Sequence, residues 1–263
     1  MTARIIAVAN QKGGVGKTTT VVNLAASLVE QGRRVLIVDL DPQGNATMGS
    51  GIDKSALQKS VYHVLMGEHS IEEVRQSAKE GGYDVLPANR DLSAAEIELV
   101  QELAREARLK NALELVSADY DYVLIDSPPS LNLLTLNGLV AAQGVLIPMV
   151  CEYYALEGLT DLVNTLRKVR AAVNPRIEIM GLLRTMFDAR SNLSQQVSEQ
   201  LARHFGGKVF DTVVPRNIRL AEAPSHGLPG IVYDRAARGS QAYLTLAAEL
   251  IARLEPQTAS TEH

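Results

Sequence analysis

Asn10-Gln11-Lys12-Gly13-Gly14-Val15-Gly16-Lys17-Thr18-Thr19 lies directly behind the β-branched run Ile5-Ile6-Ala7-Val8, and this stretch decides how the chain folds. A loop that wraps a polyphosphate needs backbone N–H groups pointing inward at close approach, which glycine permits. It also needs a lysine for the β/γ-phosphate charge and a hydroxyl for Mg²⁺. Gly13, Gly14 and Gly16 supply the first, Lys17 the second and Thr18 the third, while Val15 and Thr19 complete the cradle. The apolar-periodic segment Val21 to Leu28 then reads as a helix whose N-terminus faces the phosphates. Strand, glycine loop and helix in this order predict a phosphate-binding loop of an α/β nucleotide-binding fold.

The loop departs from the ordinary G-x-x-x-x-G-K-[ST] pattern, because Gln11 stands at the first glycine position and an additional lysine, Lys12, follows it. An isolated loop lysine reads as a solvated charge. Inside Lys-Gly-Gly-Val-Gly-Lys-Thr it resembles the deviant Walker A motif, whose extra lysine reaches across a dimer interface to the partner's nucleotide. A dinucleotide-binding reading fails here: Gly14 and Gly16 give G-x-G, but Thr19 stands where the third glycine belongs.

With 263 residues and 46% hydrophobic content, the chain has enough material for one large core, and a single domain over residues 1–254 is expected. The remaining 255–263 is polar, carries Pro256 and reads as a disordered tail. No apolar run reaches the length of about 18 residues that a membrane span needs. The richest region, Gly138 to Cys151, is broken by Gln143 and Pro148 and reads as a buried strand. No basic start with an apolar core precedes the first strand, so the expected location is cytoplasmic, with no membrane partner. The single cysteine, Cys151, excludes an internal disulfide and paired-cysteine metal sites, and the five histidines lack ligand spacing. The net charge of −4 argues against a chain that coats nucleic acid with its whole surface. Residues 176–240, however, hold nine Lys/Arg against six Asp/Glu, which leaves room for a local basic face.

Strand-like runs recur at Arg4 to Ala9, Arg33 to Asp39, Tyr83 to Pro87, Tyr122 to Asp126, Gly144 to Val150, Ile177 to Thr185 and Lys208 to Val214. Helical periodicity covers Ala155 to Val173, Leu193 to Phe205 and Gly239 to Leu254. This alternation predicts an α/β fold with a mostly parallel twisted sheet covered by helices on both faces. In open α/β sheets ligands bind beyond the carboxyl ends of the strands, which singles out Asp39, Asp41 and Asp126. Tyr122-Val123-Leu124-Ile125-Asp126 resembles a Walker B segment, with Asp126 holding Mg²⁺ directly or through water. Asp39 ends its strand facing the same ion beside Thr18, and Asp41, in the loop beyond, is placed to orient the attacking water. Ser127-Pro128-Pro129-Ser130 reads as a stiff segment able to follow the γ-phosphate.

Lys12–Thr19, Asp39-Leu40-Asp41-Pro42-Gln43-Gly44-Asn45, Asp126–Ser130, Glu152-Tyr153-Tyr154-Ala155-Leu156-Glu157-Gly158 and Pro215-Arg216-Asn217 together resemble a ParA-type partitioning ATPase, with the match running from Ile5 to about Leu254. The resemblance implies a homodimer with ATP and Mg²⁺ between the subunits. Lys12 would contact the opposite nucleotide, Gly13 to Thr19 would bind ATP within one subunit, and Pro215 and Asn217 would hold the adenine. Glu152 would touch the partner's nucleotide. It further implies nonspecific binding of double-stranded DNA, association with the nucleoid, and release when a ParB-type centromere-binding protein stimulates hydrolysis. Arg190 and Arg219 match positions where the family carries DNA-contacting arginines. The chain starts at its first strand, as in the short chromosomal form. A MinD-type membrane ATPase is the nearest rival, and it calls for a basic amphipathic C-terminal helix that Leu254 to His263 does not offer. Iron–sulfur relatives require cysteines that are missing.

Overall fold

Val, Ile and Leu fill the strand runs almost without polar interruption, as expected where a sheet is covered on both faces. The computed structural model, which describes residues 2–255, places eight strands in one sheet: β1 (Arg4–Val8), β2 (Val35–Asp39), β3 (Gln76–Ala78), β4 (Tyr83–Leu86), β5 (Tyr122–Asp126), β6 (Gly144–Val150), β7 (Glu178–Phe187) and β8 (Val209–Pro215). Their spatial order is β3-β4-β2-β5-β1-β6-β7-β8. All neighbours are parallel except β3, which pairs antiparallel with β4 at one edge. Seven strands sit where the sequence places them. The short β3 carries two exposed polar residues and gave no apolar run to read.

Alternate residues of one strand feed opposite cores. Ile5 and Ala7 of β1 join the cluster beneath α3 (Val61–Met66), α6 (Arg108–Val116), α7 (Leu133–Ala141), α8 (Ala155–Ala172) and α9 (Asn192–Phe205). Ile6 and Val8 join the cluster packed by Val21, Leu24 and Leu28 of α1 (Lys17–Glu30) and by Tyr243, Leu246 and Leu250 of α12 (Arg238–Leu254). The remaining helices are short: α2 (Asn45–Gly49), α4 (Ile71–Val74), α5 (Leu92–Glu98), α10 (Ile218–Glu222) and α11 (Gly230–Tyr233). No helix among the described residues is long and apolar enough to cross a membrane.

Two readings change. Gly138 to Ala141 is not strand but the end of α7, and the chain enters β6 only at Gly144. This helix is buried nearly all round, so it has no polar stripe to betray its period; its start is set by Asn132, whose side chain accepts a hydrogen bond from the Thr135 amide at 3.0 Å. Glu255, counted with the tail, is held: it pairs with Arg33 at 2.7 Å and accepts from the Tyr122 hydroxyl at 2.6 Å. The rest of the expected tail, residues 256–263, lies outside the described residues.

Candidate phosphate-binding active site

The chain leaves β1 at Val8 and must reverse into α1 within eight residues. Gly14 and Gly16 make the reversal with φ of +71° and +87°, a left-handed conformation that costs other residues about 1 kcal/mol or more. Gly16 is the N-cap of α1, and because no side chain caps that end, the first amides of the helix stay available to an anion. Three contacts fix the loop. Asn10 donates to the Pro148 carbonyl at 2.8 Å and accepts from the Lys12 amide at 2.9 Å, and the Thr185 hydroxyl on β7 donates to the Val15 carbonyl at 2.8 Å.

Lys17, the first residue of α1, is buried, and its ammonium donates to the Lys12 carbonyl at 3.2 Å. Burial pushes its pKa down, opposed by the charges of Asp126 and Asp41. A buried lysine with a single neutral acceptor has hydrogen-bonding capacity left for a phosphate. Beside it the Thr18 hydroxyl donates to Asp126 Oδ2 at 2.7 Å. Among the described residues, Asp126 Oδ1 and the neighbouring Ser127 hydroxyl are buried without any partner. Burial, then the nearby Asp39 charge, raises the Asp126 pKa well above the usual carboxylate range. An orphaned carboxylate oxygen beside a hydroxyl, next to a cationic loop, is the donor set that a hard divalent cation satisfies.

Asp39 stands opposite Asp126 in the β2–β5 register and is also fully buried. Its oxygens are engaged otherwise: Oδ2 accepts from the Thr47 amide (2.9 Å) and hydroxyl (2.7 Å), and Oδ1 from the Asp41 amide (3.1 Å). Burial raises its pKa to about 6. Asp39 thus ties the loop 40–47 to the sheet, while Thr18 and Asp126 form the pair nearest each other. Asp41 is half-buried, and among the described residues its carboxylate accepts only from the Gln43 amide, at 2.9 Å. A cavity of about 480 Å³ opens beside Thr18 and Thr19, bounded by Asn45, Met48, Lys54 and Pro224, within the size range of ligand sites.

Lys12 leans across the mouth of the loop to Glu152 at 2.7 Å, both side chains about half exposed. Next to Glu152, Tyr153 and Tyr154 pack edge to face with ring centroids 5.0 Å apart and remain largely exposed. Pro215 lies opposite Phe187 at the end of β7–β8, and Asn217 caps α10 by accepting from the Leu220 amide at 3.2 Å. Arg190 pairs with Asp188 at 3.1 Å, and Arg219 with Glu222 at 2.8 Å and Asp234 at 3.4 Å. Sequence reasoning missed Asn10, Thr47 and Thr185: Asn10 and Thr185 act through partners 138 and 170 positions away, and Thr47 reaches Asp39 across 8; Asn10 alone had a signal, standing at the start of the loop itself.

The family described as "AAA domain" matches residues 3–179. The chain is 53% identical over 249 residues to the sporulation initiation inhibitor protein Soj of Bacillus subtilis, covering 95% of this chain and 98% of that one. To the chromosome partitioning protein ParA of Caulobacter vibrioides it is 52% identical over 252 residues, covering 95% and 94%. This chain belongs to the ParA/Soj family of P-loop partitioning ATPases. Among solved structures, cobyrinic acid a,c-diamide synthase from Mycobacterium smegmatis with bound ADP and magnesium superimposes with a TM-score of 0.84 at 40% identity, over 95% of this chain and 94% of that one. These matches run on past the family segment over β8 and most of β7.

Proposed function

We propose that this protein is a Mg²⁺-dependent ATP hydrolase whose ATP-bound homodimer binds double-stranded DNA without sequence preference. A ParB-type partner would stimulate hydrolysis and release it, which locates the protein on the nucleoid. The observation that carries the reading is the conjunction of a left-handed glycine cradle, a buried Lys17 with capacity to spare, and the Thr18–Asp126 pair whose second carboxylate oxygen lacks a partner.

The α1 N-terminus and the amides of Gly13 to Thr19 bind the α- and β-phosphates, and Lys17 neutralises the β/γ oxygens. Thr18 and Asp126 hold Mg²⁺, with Asp39 behind them positioning the 40–47 loop. Bound there, Mg²⁺ would supply charge compensation to the phosphate oxygens, and one protein carboxylate with one hydroxyl suits an ion that is commonly held by few protein ligands. Asp41, on the loop anchored by Asp39, orients the attacking water, and Pro215 with Asn217 holds the adenine. Lys12 exchanges Glu152 for the partner's nucleotide; an exposed ion pair is worth only about 0–1 kcal/mol, so a triphosphate displaces it readily. Tyr153 and Tyr154, exposed next to Glu152, supply apolar area for the dimer contact.

The test is binding of nonspecific duplex DNA by the Asp41→Ala protein, which retains ATP, compared between ATP and ADP at low and moderate salt. Binding with ATP alone, weakened by salt, is expected. Absence of binding in both states, with ATP-dependent dimers intact, replaces the DNA track by a protein or membrane scaffold. Hydrolysis by Asp41→Ala at the parent rate would remove Asp41 from its role.

A further inference from the structure

Among the described residues, the arginines at the β7–β8 end fall into two kinds. The parallel register places Phe187 opposite Pro215, so the segments 188–190 and 216–219 leave the sheet side by side. The first turn of α12 closes on the same place: a Cβ on Gly239 would come within 2.5 Å of Leu220 and 3.0 Å of the Asn217 Cβ, which puts Arg238 against α10. Four arginines, Arg190, Arg216, Arg219 and Arg238, therefore share one end of the molecule.

Arg190 and Arg219 are already occupied. The Arg190 guanidinium gives two hydrogen bonds to Asp188, at 3.1 and 3.2 Å, although its side chain is 91% exposed. Arg219 is shared between Glu222 and Asp234. Arg216 and Arg238 are exposed, and among the described residues their guanidinium groups make neither hydrogen bond nor ion pair. The Arg190 hydrogen bonds, with a smaller contribution from the Arg216 charge, hold the Asp188 carboxyl below its usual pKa, so it is a full anion at neutral pH. A carboxylate gripping a guanidinium by two hydrogen bonds uses the geometry that a phosphodiester would use.

We propose that Arg216 and Arg238 make the first phosphate contacts of the DNA-binding face, and that Asp188, Glu222 and Asp234 act as internal phosphate mimics that keep DNA affinity low by competing for Arg190 and Arg219. The inference rests on the DNA reading above. A weak, exchangeable grip suits a protein that must leave DNA when its nucleotide is spent. Two subunits double every contact, so each substitution is read twice.

The experiment measures the affinity of the full-length protein for a nonspecific duplex at several salt concentrations, with saturating ATPγS and Mg²⁺ and dimer formation followed in the same samples. Arg216→Ala or Arg238→Ala should weaken binding about tenfold or more and reduce the slope of log affinity against log salt by about 2. Loss of nucleotide binding is recognised separately, as loss of the dimer in the same samples. Asp188→Asn and Glu222→Gln should tighten binding about three- to tenfold, the exchange energy of one exposed pair per subunit. Unchanged slopes in the arginine variants, or unchanged or weaker binding in both carboxylate variants, overturns the inference while leaving the DNA reading intact. No ATPγS-dependent binding by the unaltered protein overturns both.

Discussion

At the phosphate loop the buried Asp126 Oδ1 and Ser127 hydroxyl have no partner among the described residues, Lys17 has one neutral acceptor, and two glycines are held left-handed. At the outer edge of β8, by contrast, α12 satisfies what the sheet leaves open. Glu249 accepts from the Asp211 amide (2.8 Å), the Thr212 amide (2.9 Å) and the Thr212 hydroxyl (2.6 Å). Arg253 pairs with Glu249 at 2.6 Å, donates to the Gly207 and Val209 carbonyls, and stacks over Phe210 at 4.3 Å. One helix, α1, opens its N-terminus to a ligand; the other, α12, uses its last turns to close a sheet edge that would otherwise offer itself to another strand. Ser60, Arg184 and Ser240 also keep a buried polar atom without a partner among the described residues, so what sets the phosphate loop apart is that its two orphans, Asp126 Oδ1 and the Ser127 hydroxyl, stand together beside Thr18 and a buried lysine.

The contrast breaks first under Lys17→Ala. Hydrolysis should fall about 10²–10³-fold, the effect of deleting one preorganised electrostatic contact to the transition state, with little change in the unfolding midpoint. A turnover assay with a thermal melt checks both. Next, Glu249→Ala should lower the unfolding free energy by about 2–3 kcal/mol, because the buried Thr212 amide and hydroxyl lose their acceptor, yet ATP turnover at 25 °C should persist. Urea unfolding beside a turnover assay reads this, and the reverse pattern would show that the edge belongs to the site.

Asp126→Asn sharpens the comparison from the other side. Removing a buried, strained negative charge should raise the nucleotide-free melting temperature by about 2–4 °C while abolishing the gain in stability that Mg²⁺ and ATP together provide. A lowered melting temperature would mean that Asp126 serves the fold rather than the ion. The smallest effect belongs to Lys12→Ala and Glu152→Gln, whose exposed pair should change stability by no more than about 0.5 kcal/mol. ATP-dependent dimerisation, followed by light scattering, should be lost in Lys12→Ala.

How much was legible in sequence follows the same division. Asn10 to Thr19 announced its chemistry because a phosphate cradle is built from consecutive residues, and β1, β2, β5 and β6 announced themselves because a doubly covered strand is a short apolar run. The short helices between Asn45 and Val74 were not read, since four to six residues give no helical period, and α7 was misread because burial all round erases its polar face. Asp39 and Asp126 were both visible as strand-end carboxylates. Only the β2–β5 register and Thr47 distinguished the one that anchors a loop from the one that keeps an oxygen free.

The sequence by itself determined the strand–loop–helix cradle, the parallel sheet and the family, because each depends on local spacing and on which residue types can bury. Tertiary structure alone decided which carboxylate is spare and how the β8 edge is closed, because those depend on hydrogen-bond partners brought together from distant parts of the chain, and a buried polar group is defined by what surrounds it; the arginine pairs are local, two and three residues apart, yet only the folded structure shows that they form.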